Sequence, residues 1–90
     1  MQTLASASNQ ALKTIAMKKF NNVIIKTKNY YNVMVNKYGD SFNPHTDHTI
    51  LSAVNDFNSF LDVVEKNNVL PKVVTTKLYN EFVLAYTKGV

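Results

Sequence analysis

The chain has no cysteine, no arginine and no tryptophan, only two glycines and two prolines, and no acidic residue before Asp40. Each absence removes a class of chemistry. Without cysteine there is no disulfide framework, no thiolate zinc site and no cysteine nucleophile. The glycines at 39 and 89 are too few and too far apart for a phosphate-cradling P-loop or a dinucleotide fingerprint. Missing arginine removes the planar fork that reads guanine and phosphate bidentately and leaves lysine acting as a point charge. Diffuse electrostatic attraction is therefore favoured over sequence-specific DNA reading. No apolar run approaches the roughly 20 residues a transmembrane helix needs, or the 7–15 of a signal-peptide core. These absences together predict a cytoplasmic protein. The acid-free opening, rich in alanine and serine, has features of an organelle transit segment but lacks the usual arginines.

What is present is enough to fold. Ninety residues, 46% hydrophobic and 18% charged, predict a single helical domain over 1–90 with one modest core. Charge is unevenly placed. Residues 1–40 hold six lysines and one aspartate, whereas residues 41–90 hold four lysines and five acids. The net charge of +4 thus divides into +5 on the first part and −1 on the second. Such a field attracts anionic partners, and it also fits a solvated face that keeps the protein dispersed. Asparagine and lysine fill 22 of the 90 positions, and their codons are AT-rich. A low-GC bacterium, its phages or its plasmids would be natural sources.

Punctuation falls in two places, Gly39–Pro44 and Asn67–Asn68 followed by Pro71, and divides the chain into three parts. In the middle part Ile50, Val54, Phe57, Leu61 and Val64 recur at helical spacing, with Thr46 or Asp47 able to cap the start. In the last part Val74, Leu78, Phe82 and Ala85 build one stripe after Pro71, a residue suited to a first helical turn. The short connection makes these two an antiparallel helical hairpin. The first part carries two readings. Met17, Phe20, Ile24, Thr27, Tyr31, Met34 and Tyr38 follow a 3–4 pattern that a long helix would use, started near Ser6 or Ser8 and divided at Asn21–Asn22. Yet its β-branched and aromatic residues favour strands, with a hairpin at about 22–38. The expected fold is all-α, a small three- or four-helix bundle ending in the helical hairpin; the alternative is α+β.

Enzyme chemistry finds little to work with. His45, Asp47 and His48 are the only histidine–carboxylate cluster, and their spacing across a loop–helix junction suits capping better than metal binding. Asp62 and Glu65 lie three apart on the polar flank of a helix, where solvated charge is the ordinary explanation. No nucleophile motif places a serine beside a base. The expectation is a non-enzymatic protein with no cofactor and no metal.

Aromatics interleaved with lysine are more informative. Lys18, Lys19, Lys26, Lys28, Tyr30, Tyr31 and Lys37 form the candidate partner surface. Tyrosine within a basic groove can stack nucleic-acid bases, and tyrosine anchors are also enriched at protein interfaces. Tyr30 and Tyr31 point about 100° apart on a helix, so one of them is expected to be exposed. A protein partner is the first expectation; nucleic acid, an anionic membrane surface or a homodimer are the others. The tail Leu70-Pro71-Lys72 followed by Lys77-Leu78-Tyr79-Asn80 resembles the closing helix of small bacteriocin immunity proteins over about twenty residues. That resemblance implies a basic helical bundle that blocks a killing peptide by binding. The function expected is docking on a protein partner to regulate or inhibit it, as a phage-type regulator or an immunity-like factor would. Lysine-driven binding of nucleic acid or anionic membrane is the second expectation, and a structural role through self-association the third.

Overall fold

A computed structural model describes the backbone of residues 2–90 and the side chains of residues 10–90. Three α-helices account for nearly all of it: α1, Gln2–Tyr38; α2, His48–Lys66; and α3, Lys72–Thr87. A single 3-10 turn, Gly39–Ser41, follows α1. The fold is all-α, with no strand among the described residues.

The hairpin alternative at 22–38 is overturned for a reason visible in the side-chain phase. A strand would alternate Ile24, Lys26 and Lys28 on one face and bury lysines with isoleucine. A helix instead gathers Phe20, Ile24 and Thr27 on one buried stripe, with Ala16 one turn below and Tyr31 and Met34 half-buried above. Helical phase wins over β propensity because the burial it permits outweighs the about 0.5 kcal/mol per residue that β-branching costs. Asn21–Asn22 does not divide the helix either. Both side chains are exposed, where asparagine costs only its small propensity penalty. The start at Gln2 lies upstream of the expected caps Ser6 and Ser8, whose side chains are outside the described residues.

α1 runs antiparallel to α2, since Phe20 meets Phe57 and Phe60 while Tyr30 meets Asp47. It runs alongside α3 in the same direction, with Asn32 donating to the carbonyl of Gly89 at 3.1 Å. Phe20, Phe57 and Phe82, one from each helix, are each about 1% exposed and form the centre. Phe57 stacks on Phe82 at 4.2 Å and 2° between planes, and leans on Phe20 at 5.1 Å. Val64, Leu70, Leu78 and Ala85 extend this core toward both ends.

The connections follow from local chemistry. Gly39 ends α1 with φ +60°, a left-handed conformation that glycine adopts without penalty. Asp47 caps α2, its Oδ2 accepting from the amide of Ile50 at 3.1 Å. The same carboxylate accepts the hydroxyl of Tyr30, 3.0 Å from Oδ1 and 2.9 Å from Oδ2. At the other end Asn68 takes φ 53°, its amide donating to the Glu65 carbonyl at 3.2 Å, and the Val69 amide donates to Val64 at 3.0 Å. That pair of bonds is a Schellman stop, with asparagine in the left-handed position. Pro71 lies just before α3 as its cap rather than inside the first turn. The Glu65 carboxylate then accepts from Lys72 Nζ at 2.8 Å and from the buried Thr75 hydroxyl at 3.0 Å.

α1 sets the shape. Its 37 residues extend about 55 Å at 1.5 Å each, matching a molecule of 55 × 20 × 18 Å. The radius of gyration is 15.3 Å, against about 12 Å for a compact chain of this length. Gln10 to Ile15 are all exposed, with Leu12 and Lys13 bordering the C-terminal end of α2.

Two stability predictions follow from the ends of α2. Asp47→Ala is expected to cost about 1–3 kcal/mol and Tyr30→Phe about 1–2 kcal/mol. The pair should be less than additive in a double-mutant cycle of urea unfolding, because each change removes the same bond. Lys72 first, and Thr75 second, hold the Glu65 carboxyl below its ordinary value. A carboxyl lowered in the folded state stabilises above the unfolded value of about 4.3, and that stabilisation is lost as pH falls through the folded value. Glu65→Gln should therefore lower the urea midpoint at pH 7, with the gap to wild type closing once pH has fallen below the folded carboxyl's lowered value.

Candidate functional site

The seven residues of the candidate surface all lie on α1, and one unbroken helix decides which of them act together. At 100° per residue Lys19 and Lys26, seven apart, are nearly eclipsed, and Lys37 falls on the same side. Lys18 and Lys28 fall on other sides of the helix. The lysines are therefore spread around α1 rather than massed on one basic face.

Lys19, Lys26 and Tyr30 border an open cleft along the seam between α1 and α2. Its upper stretch, ≈ 670 Å³, is lined from α1 by Val23, Lys26, Thr27 and Tyr30 and from α2 by His48, Thr49, Ser52, Ala53 and Asp56. The next stretch, ≈ 520 Å³, shares Val23 and Asp56 and adds Lys19, Phe20, Phe60 and Val63. A third, ≈ 610 Å³, shares Val63 and reaches Leu12, Lys13 and Asn67. The shared residues join these stretches into one groove along most of α2. The floor of its first two stretches is apolar, and the rim carries Lys13, Lys19 and Lys26 against the single carboxylate Asp56.

No rim lysine has an acidic partner among the described residues. Among the described residues the ion pairs are Lys66–Asp62 at 3.3 Å and Lys72–Glu65 at 2.8 Å. Lys19 lies over the Phe60 ring, 4.4 Å from its centroid, which holds the ammonium at the groove wall by a cation–π contact. Lys37 lies beyond the cleft, 5.3 Å from the Tyr38 ring.

The expectation of one exposed tyrosine at 30–31 is corrected. Both are half-buried, because Phe42 from the loop packs into the angle between them, 6.2 Å from Tyr30 and 5.9 Å from Tyr31. Tyr38 is the exposed tyrosine of α1. Tyr30 still borders the cleft, but its hydroxyl is held by Asp47. Tyr31 faces the C-terminal tail, where Gly89 at φ +69° approaches Tyr31 and Asn32 too closely for any Cβ. At this end Tyr86 is held above its ordinary value by burial first and by Tyr79 second.

His45, Asp47 and His48 do not converge. Among the described residues no group of three or more histidine, cysteine, aspartate or glutamate side chains is placed to hold a metal. His45 meets the edge of Tyr86 at 6.2 Å, Asp47 caps α2, and His48 sits on the cleft rim. No described helix is long and apolar enough to cross a membrane.

Of the seven residues singled out from the sequence, Lys19, Lys26 and Tyr30 border this cleft, whereas its other α1 residues and its whole α2 wall were not singled out. Thr49, Ser52, Ala53 and Asp56 lie on one flank of α2 beside its core stripe, and a flank of small polar residues reads as ordinary solvated surface. No family model, no curated protein and no solved structure matches this chain.

Proposed function

We propose that this chain is a non-enzymatic helical binding protein that docks on a protein partner and thereby regulates or inhibits it. The observation that carries this reading is the continuous apolar cleft between α1 and α2, open over most of α2. Helix pairs present such seams to helices or loops of other proteins, and burial of a few half-covered apolar side chains supplies the affinity. The deployment of the titratable groups supports the same reading. Asp47 is occupied as a cap, Glu65 and Asp62 by lysines, and the two histidines are apart in role.

Ser52 is exposed and lines the cleft, whereas Asn80 is exposed on α3. Affinity capture from host extract with wild type, Ser52→Trp and Asn80→Trp tests the reading, with circular dichroism verifying that all three fold alike. One protein held in saturable amounts by wild type and Asn80→Trp, and lost by Ser52→Trp, is the expected result. No saturable partner, or one that Ser52→Trp retains in full, would refute it.

A further inference from the structure

Resting on that reading, we infer that the occupant of the α1–α2 cleft is an acidic amphipathic helix of another protein, which completes a four-helix arrangement. The groove has the form of a missing helix. It follows most of the 19 residues of α2, about 28 Å of helix, and has an apolar floor. The α2 flank offers Thr49, Ser52 and Ala53, side chains short enough to admit a helix at the usual 8–10 Å between axes.

Charge selects the class of helix. Lys19 and Lys26 stand on the α1 rim about 10.5 Å apart, two helical turns, and neither has an acidic partner among the described residues. A helix lying along this rim meets them with carboxylates one heptad apart. Asp56 lines both adjoining stretches from the opposite wall. It asks for one donor, a lysine, arginine or hydroxyl, midway along the other flank. Acids on one side, a donor on the other and an apolar stripe between them make a specific pattern.

A second copy of this chain does not carry it. α1 has no acid, α3 has only Glu81, and the acids of α2 at 56, 62 and 65 are separated by six, three and nine positions. None of these spacings is a heptad. The occupant therefore belongs to a different protein.

The probe is a synthetic helix of about 20 residues, roughly 30 Å, with leucines at 3–4 spacing. Two glutamates stand one heptad apart on one flank and one lysine on the other. A companion peptide carries lysines in place of the glutamates. Binding is measured by fluorescence anisotropy to wild type, to Lys19→Glu/Lys26→Glu and to Lys18→Glu/Lys28→Glu, which changes net charge equally but off the cleft. The acidic peptide should bind wild type saturably, lose about tenfold on the Lys19/Lys26 variant and change less than about twofold on the Lys18/Lys28 variant. The companion peptide should recover binding on the Lys19/Lys26 variant.

Absence of saturable binding up to about 1 mM overturns the inference, as does equal loss in both double variants, which would mean diffuse attraction. A dimer of this chain in sedimentation that Ser52→Trp dissociates overturns it too, by naming a second copy as occupant. The two proposals fail separately. If Ser52→Trp releases the native partner while the peptides show no charge dependence, the cleft stands and the acidic helix falls. If Ser52→Trp leaves the native partner bound, the cleft itself is the wrong surface.

Discussion

Phe57 sits between Phe20 and Phe82, and at these three rings all three helices commit a large side chain to the same point. Each ring removes upwards of about 150 Å² of apolar surface from water, a large share for a bundle with so few bulky core residues. The near-coplanar stack of Phe57 on Phe82 and the tilted contact with Phe20 fix where α2 sits along its neighbours. Once that position is set, the polar devices at the two ends of α2 fall into reach. Asp47 meets Tyr30 at one end, and Glu65 meets Lys72 and Thr75 at the other. Each joins a helix terminus to a neighbouring helix, so the ends of α2 are held by charge-assisted hydrogen bonds and its middle by packing. No buried side-chain polar atom among the described residues is left without a partner, as a small core requires.

The same arrangement leaves the cleft. α1 packs more broadly against α3 than against α2, because Phe82, Leu78 and Ala85 turn a full apolar stripe toward it. α2 gives α1 its core stripe, but on the flank beyond it places Thr49, Ser52, Ala53 and Asp56, which are too short to reach across. The cleft thus arises from the size difference between two flanks, without any loop or special backbone. The excess length of α1 is a second consequence. Leu12 and Ile15, 48% and 60% exposed, add apolar surface to the N-terminal half of α1.

Local signals are legible in the order of the residues. Asp47 as a cap, Asn67–Asn68 as a stop and the stripes of α2 and α3 depend on residues within four or five positions of each other. Capping and amphipathic periodicity act over that range, so the sequence carries them explicitly. Thr75 was missed as a buried residue because its hydroxyl, besides meeting the Lys72 carbonyl at 3.0 Å, reaches the Glu65 carboxylate ten positions away. Phe42 was missed as the wedge between Tyr30 and Tyr31 for the same reason, since its partners lie across a turn.

By itself the sequence determined a helical hairpin at the chain's end and a basic first part, and it favoured an all-α chain over α+β. Tertiary structure alone decided that residues 2–38 form one helix, because β-branched propensity and helical periodicity oppose each other there and only burial against α2 and α3 breaks the tie. It also decided which lysines line the cleft. Six lysines on α1 are equivalent as charges, and Lys19 and Lys26 are set apart from Lys18 and Lys28 only by an unbroken helical phase and by the wall that α2 places beside them.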